Sequence, residues 1–125
     1  MPVKTVLLTG GNGFIGKNLK ESFLAQKYNL LTPGSKDLNL CDEDAVARYF
    51  DEHQIDIVIH SAVKPNHRNA KDLSNIFYSN TRMFFNLERY SDRYQKMLVL
   101  GSGAIYDLRY YRPLMKEDEY TRFLP

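Results

Sequence analysis

Apolar positions in this chain alternate between short solid runs and longer stretches in which they recur every three or four residues. Val3 to Thr9 is a run rich in β-branched residues that ends at glycines, and it reads as a fully buried strand. Phe14, Ile15, Leu19, Phe23 and Leu24 then follow helical spacing, which predicts a helix from Phe14 to Gln26. Asn29 to Thr32 predicts a second strand, closed by Pro33 and Gly34, and Asp37 to Leu40 a third. Asp42 is placed to cap a helix whose apolar face is Ala45, Val46, Tyr49 and Phe50. Ile55 to His60 predicts another strand, Asn75 to Arg93 a long helix, and Met97 to Leu100 a last strand that ends at Gly101. Apolar strands alternating with amphipathic helices imply a parallel sheet covered on both faces. With right-handed crossovers the expected architecture is a doubly wound sheet in strand order 3-2-1-4-5.

Composition narrows the partners. The 125 residues suit one domain, expected to span 1–125. A net charge of +2 gives no reason to expect a nucleic-acid partner. No stretch approaches the ~20 apolar residues of a membrane span, so no membrane partner is expected. The chain runs at once into a strand, so no signal peptide is expected. A single cysteine, Cys41, forbids an internal disulfide. It reads as a buried structural thiol in a reducing cytoplasm. His53, His60 and His67 have no spacing that suggests a shared metal. His60 reads as a strand-end histidine rather than a base.

The chemistry concentrates after the first strand, in Thr9-Gly10-Gly11-Asn12-Gly13-Phe14-Ile15-Gly16. A glycine motif alone is weak, but this one joins a strand to a helix inside a strand-helix-strand unit. Gly10 permits the tight turn. Gly13 lets backbone N–H groups approach a pyrophosphate, and Gly16 lets the helix pack close. The helix start then offers unpaired donors and partial positive charge to the anion, with Asn12, Phe14 and Ile15 contributing. This is a Rossmann-type dinucleotide-binding arrangement, spaced G-x-x-G-x-x-G.

That spacing, preceded by Thr, resembles the extended short-chain dehydrogenase/reductase family, also called the NAD-dependent epimerase/dehydratase family. Further segments resemble it in the right order. Asp56-Ile57-Val58-Ile59-His60-Ser61-Ala62 looks like its fourth strand and the turn beneath the nicotinamide ribose. Asn80 matches an asparagine carried on the long helix, and Leu98 to Tyr106 looks like the segment that bears a catalytic Ser or Thr. Leu38-Asn39-Leu40, Ala62-Val63-Lys64 and Leu100-Gly101-Ser102 resemble the GDP-fucose synthase-like members most closely. The resemblance implies that Asn39 and Leu40 flank the adenine, that Ser61, Ala62 and Val63 meet the ribose, and that Ser102 hydrogen-bonds the substrate. It also implies a nucleotide-sugar substrate and a homo-oligomer.

Cofactor choice turns on the end of the second strand. A carboxylate there selects NAD, and a basic residue accommodates the 2′-phosphate of NADP. Leu31, Thr32 and Pro33 occupy the place, followed by Ser35 and Lys36 as phosphate donors. NADP is therefore expected, with NAD as the alternative.

The family's Tyr-x-x-x-Lys pair does not occur in the sequence. The chain is thus expected to be truncated after the fifth strand, upstream of its base, and inactive alone. Two readings follow: the dinucleotide-binding half of an NAD(P)-dependent epimerase, dehydratase or reductase, or a non-catalytic dinucleotide-binding sensor or scaffold.

Overall fold

The structure is a computed structural model, and it describes residues 2–64, 74–101, 109 and 112–118. The elements in order are β1 (Thr5–Thr9), α1 (Phe14–Lys20), α2 (Leu24–Lys27), β2 (Asn29–Leu31), α3 (Glu43–Glu52), β3 (Ile57–His60), α4 (Ile76–Glu88) and β4 (Lys96–Val99). The four strands form one sheet in the order β2-β1-β3-β4, with every pairing parallel. The chain steps from β1 to β2 on one side, then crosses back past β1 to β3. Right-handed crossovers accordingly put α1 and α2 on one face and α3 and α4 on the other.

The α3–α4 face holds the core. Val46 and Phe50 lie one helical turn apart on α3, Met83 and Leu87 likewise on α4, and they close over Leu7 of β1 and Val58 of β3. Phe50 also stacks on Tyr90 with ring centroids 4.9 Å apart. Asp42 caps α3 as its position predicts: its side chain accepts the Ala45 N–H at 3.1 Å.

Two expected elements differ, each for a local reason. The sheet has four strands among the described residues, not five in the order 3-2-1-4-5, because Asp37 to Leu40 is not a strand. Its alternation is genuine, with Leu38 and Leu40 buried and Asn39 exposed. Its backbone groups, however, are satisfied without a ladder. Asp37 and Leu38 N–H both donate to Gly34 O, Cys41 N–H donates to the Asn39 side chain, and Leu40 O accepts from Asn86 Nδ2. The segment is a loop that pushes two leucines into the core.

The single helix expected from Phe14 to Gln26 is two helices. Ser22 donates to Leu19 O at 2.6 Å and accepts the Leu24 N–H at 3.2 Å. One hydroxyl thus closes α1 and opens α2. Cys41 is half-buried rather than fully buried, with Sγ 3.6 Å from Ser79 O.

Candidate dinucleotide site

In an open parallel sheet, ligands bind beyond the carboxyl ends of strands where the strand order reverses. Here the reversal lies between β1 and β3, and a cleft of 330 Å³ opens there. Its walls are the three loops that leave β1, β2 and β3: Thr9 to Gly13, Pro33 to Ser35, and Ser61 to Val63. Leu38, Asn39, Leu40 and Met83 complete it.

The glycine loop is built for close approach. Gly10 has φ +68°, and a Cβ there would stand 2.7 Å from Ala62 N. Only glycine lets the β1 loop lie against the β3 loop in that backbone conformation. A Cβ on Gly16 would stand 2.1 Å from Gly10 O, so α1 can begin tight against the loop only with glycine in its first turn. Gly13 differs. A Cβ there would meet only Gly10 O, at 3.4 Å, so the space beside it opens into the cleft. The first bond of α1 runs from Lys17 N–H to Gly13 O at 2.8 Å. The N–H groups of Phe14, Ile15 and Gly16 precede it and form the electropositive start of the helix.

Thr9 ties this loop to its neighbour. Its hydroxyl accepts the Ser61 N–H and the Ala62 N–H, each at 3.1 Å, and lies 2.8 Å from His60 Nδ1. A hydroxyl accepts two hydrogen bonds and donates one. With both lone pairs used, its proton goes to Nδ1, which assigns His60 as the neutral tautomer protonated at Nε2. Burial acts in the same direction, lowering the His60 pKa from its ordinary 6.5. His60 is thus structural, in accord with its sequence reading.

The cleft brings together nine of the expected residues: Gly10, Asn12, Gly13, Ser35, Asn39, Leu40, Ser61, Ala62 and Val63. Gly16 stands behind the loop, while Phe14 and Ile15 offer backbone with exposed side chains. Lys36 is exposed and does not line the cleft. Asn80 does not line it either. It clamps the β3 loop, with Oδ1 accepting Lys64 N–H at 2.6 Å and Nδ2 donating to Lys64 O at 3.2 Å. Ser102 lies outside the described residues, as do His67 and the tyrosines Tyr106, Tyr110, Tyr111 and Tyr120. Met83 was not foreseen. The available signal was its place three residues after Asn80, on the same helical face. Among the described residues no group of three His, Cys, Asp or Glu could hold a metal, and no helix is long and apolar enough to cross a membrane.

Comparison with known proteins decides the family. Residues 6–125 match the NAD dependent epimerase/dehydratase family. The chain belongs to that family. Its relatives include the GDP-L-colitose synthase of Yersinia pseudotuberculosis, 31% identical over 105 residues, which are 81% of this chain and 34% of the relative. The GDP-L-fucose synthase of Azorhizobium caulinodans is 30% identical over 119 residues, 92% of this chain and 38% of the relative. The chain thus spans little more than a third of the relatives it matches. Among solved structures, a GDP-L-fucose synthetase from Naegleria fowleri superposes with TM-score 0.80 at 25% identity, over 98% of this chain and 37% of the other. The GDP-mannoheptose C4 reductase of Campylobacter jejuni, with NADP bound, superposes with TM-score 0.84 over 100% of this chain and 38% of the other. At 24% identity that second likeness concerns the fold alone. The family resemblance read from the sequence is therefore correct, including its GDP-fucose synthase-like character.

Proposed function

We propose that this chain supplies the dinucleotide-binding half of an NADP-dependent reductase, epimerase or dehydratase acting on a nucleotide sugar in the cytoplasm. The observation that carries the reading is the cleft where the strand order reverses, walled by a loop whose Gly10 and Gly16 exclude any side chain. The start of α1 and the opening beside Gly13 suit a pyrophosphate, and Ser61, Ala62 and Val63 suit a ribose. Asn39 and Leu40 suit the adenine. A bound nicotinamide would supply hydride chemistry. The residues of this chain hold and orient it, and Ser102 is proposed to hydrogen-bond the substrate. The relatives, a GDP-L-colitose synthase and a GDP-L-fucose synthase, support a nucleotide sugar. Self-association of the protein is part of the same proposal.

NADP is favoured over NAD by the end of β2. Leu31, Thr32 and Pro33 offer no carboxylate there, and Ser35 lines the cleft beside Lys36. Asp37 accepts the Gly34 N–H at 3.3 Å and does not line the cleft. Calorimetric titration should give NADPH binding at least ~10-fold tighter than NADH, the scale of one charge-assisted hydrogen bond. Tighter binding of NADH would overturn the assignment.

A further inference from the structure

A second lysine, Lys20, stands close to the end of β2, across Gly11 from Thr32. Lys20 ends α1, and its stem lies over the glycine loop. A Cβ on Gly11 would meet Lys20 Cδ at 3.4 Å and Thr32 Cβ at 3.4 Å, so the stem and the residue after β2 flank the same glycine. The ammonium is 3.4 Å from Asn12 Oδ1. An ammonium only donates, so the Asn12 oxygen faces it and the Asn12 amide nitrogen faces the other way. That nitrogen lies 3.4 Å from where a Gly34 Cβ would be. Asn12, Gly34 and Ser35 all line the cleft. The Lys20 stem and the Asn12 amide donor therefore border the loop after β2 from two sides; Lys20 stands at the margin of the cleft rather than in its lining, and no ion pair of Lys20 occurs among the described residues.

We propose that Lys20, oriented by Asn12, binds the 2′-phosphate of NADP and selects it over NAD. The inference rests on the dinucleotide reading of the cleft. A lysine in the last turn of a helix also favours the helix dipole. Lys17 shares that turn and is exposed, so it serves as the control for a merely helical role.

The test is calorimetric titration of the purified chain and its Lys20→Met, Lys20→Arg and Lys17→Met variants with NADPH and NADH at low salt. Thermal melting verifies folding of each variant. Lys20→Met should weaken NADPH by roughly 10-fold or more while moving NADH less than about 2-fold, since one charge-assisted contact is lost. Lys20→Arg should keep most of the preference, and Lys17→Met should leave it unchanged. An unchanged NADPH-to-NADH ratio in Lys20→Met, or an equal loss of both, would overturn the assignment. If the parent chain bound neither cofactor, the dinucleotide reading would fall, and the role of Lys20 with it. A normal parent with an unaltered Lys20→Met ratio would remove the lysine alone.

Discussion

Gly13→Val should abolish NADPH binding, by ~100-fold or more, equal to about 2.8 kcal/mol of binding energy, and leave the domain folded. The two halves of that result come from one position. Gly13 has φ −78° and ψ 176°, an extended backbone that valine adopts readily. The first added carbon meets only Gly10 O, at 3.4 Å. Valine therefore costs the protein little, a few tenths of a kcal/mol to ~1 at a helix N-cap. The isopropyl group enters the space where the pyrophosphate must approach the backbone. Calorimetry with NADPH reads the first half, and circular dichroism melting reads the second. Undiminished affinity in a folded Gly13→Val chain would remove the phosphate-loop reading. Gly16→Val would not serve instead, because its Cβ would strike Gly10 O and disturb the fold itself.

Thr9→Val should destabilise the chain by about 3 kcal/mol, because one buried hydroxyl serves three partners. Thr9 is 2% exposed and His60 is 7% exposed. Valine keeps the volume but strands Ser61 N–H, Ala62 N–H and His60 Nδ1. Thr9→Ser keeps the hydroxyl and should lose much less. Urea unfolding of the three chains decides it, and a Thr9→Val loss below ~1 kcal/mol would show that the three bonds matter little. The same cluster predicts a pH dependence. His60 is held neutral, with its pKa below the ordinary 6.5, so the unfolded chain binds more protons on acidification. The stability His60 contributes is complete above about pH 6.5 and is lost as pH falls below it. Replacing His60 by Gln should flatten that part of the profile.

How much of this was legible beforehand depended on how local the signal was. The strands at Thr5–Thr9 and Ile57–His60 were readable because parallel strands buried on both faces are solid apolar runs. The Asp42 cap and the glycine loop were readable because each is a short-range device. Asp37 to Leu40 misled because a loop that buries Leu38 and Leu40 shows the same period of two as a strand. Only its bonds to Gly34, Asn39 and Asn86 distinguish it, and two of those partners are remote or side-chain groups. The helix break at Ser22 was hidden because the apolar spacing runs through it unchanged. Asn80, expected at the cofactor, holds Lys64 of the β3 loop instead of lining the cleft, and that placement is a tertiary fact. Lys20 was invisible for the same reason, since it lies twelve residues from Thr32 in sequence but flanks the same glycine in space.

The cleft at the ends of β1, β2 and β3 is proposed to hold a dinucleotide. The most direct test is a titration of the 15N-labelled chain with NADPH, followed by backbone amide shifts. Saturable shifts are expected at Gly10, Gly13, Ser35, Ser61 and Ala62, with the amides around Glu52 to Ile55 unmoved. No saturable shift, or shifts confined to the second hollow beside Phe50, His53 and Arg93, would contradict it.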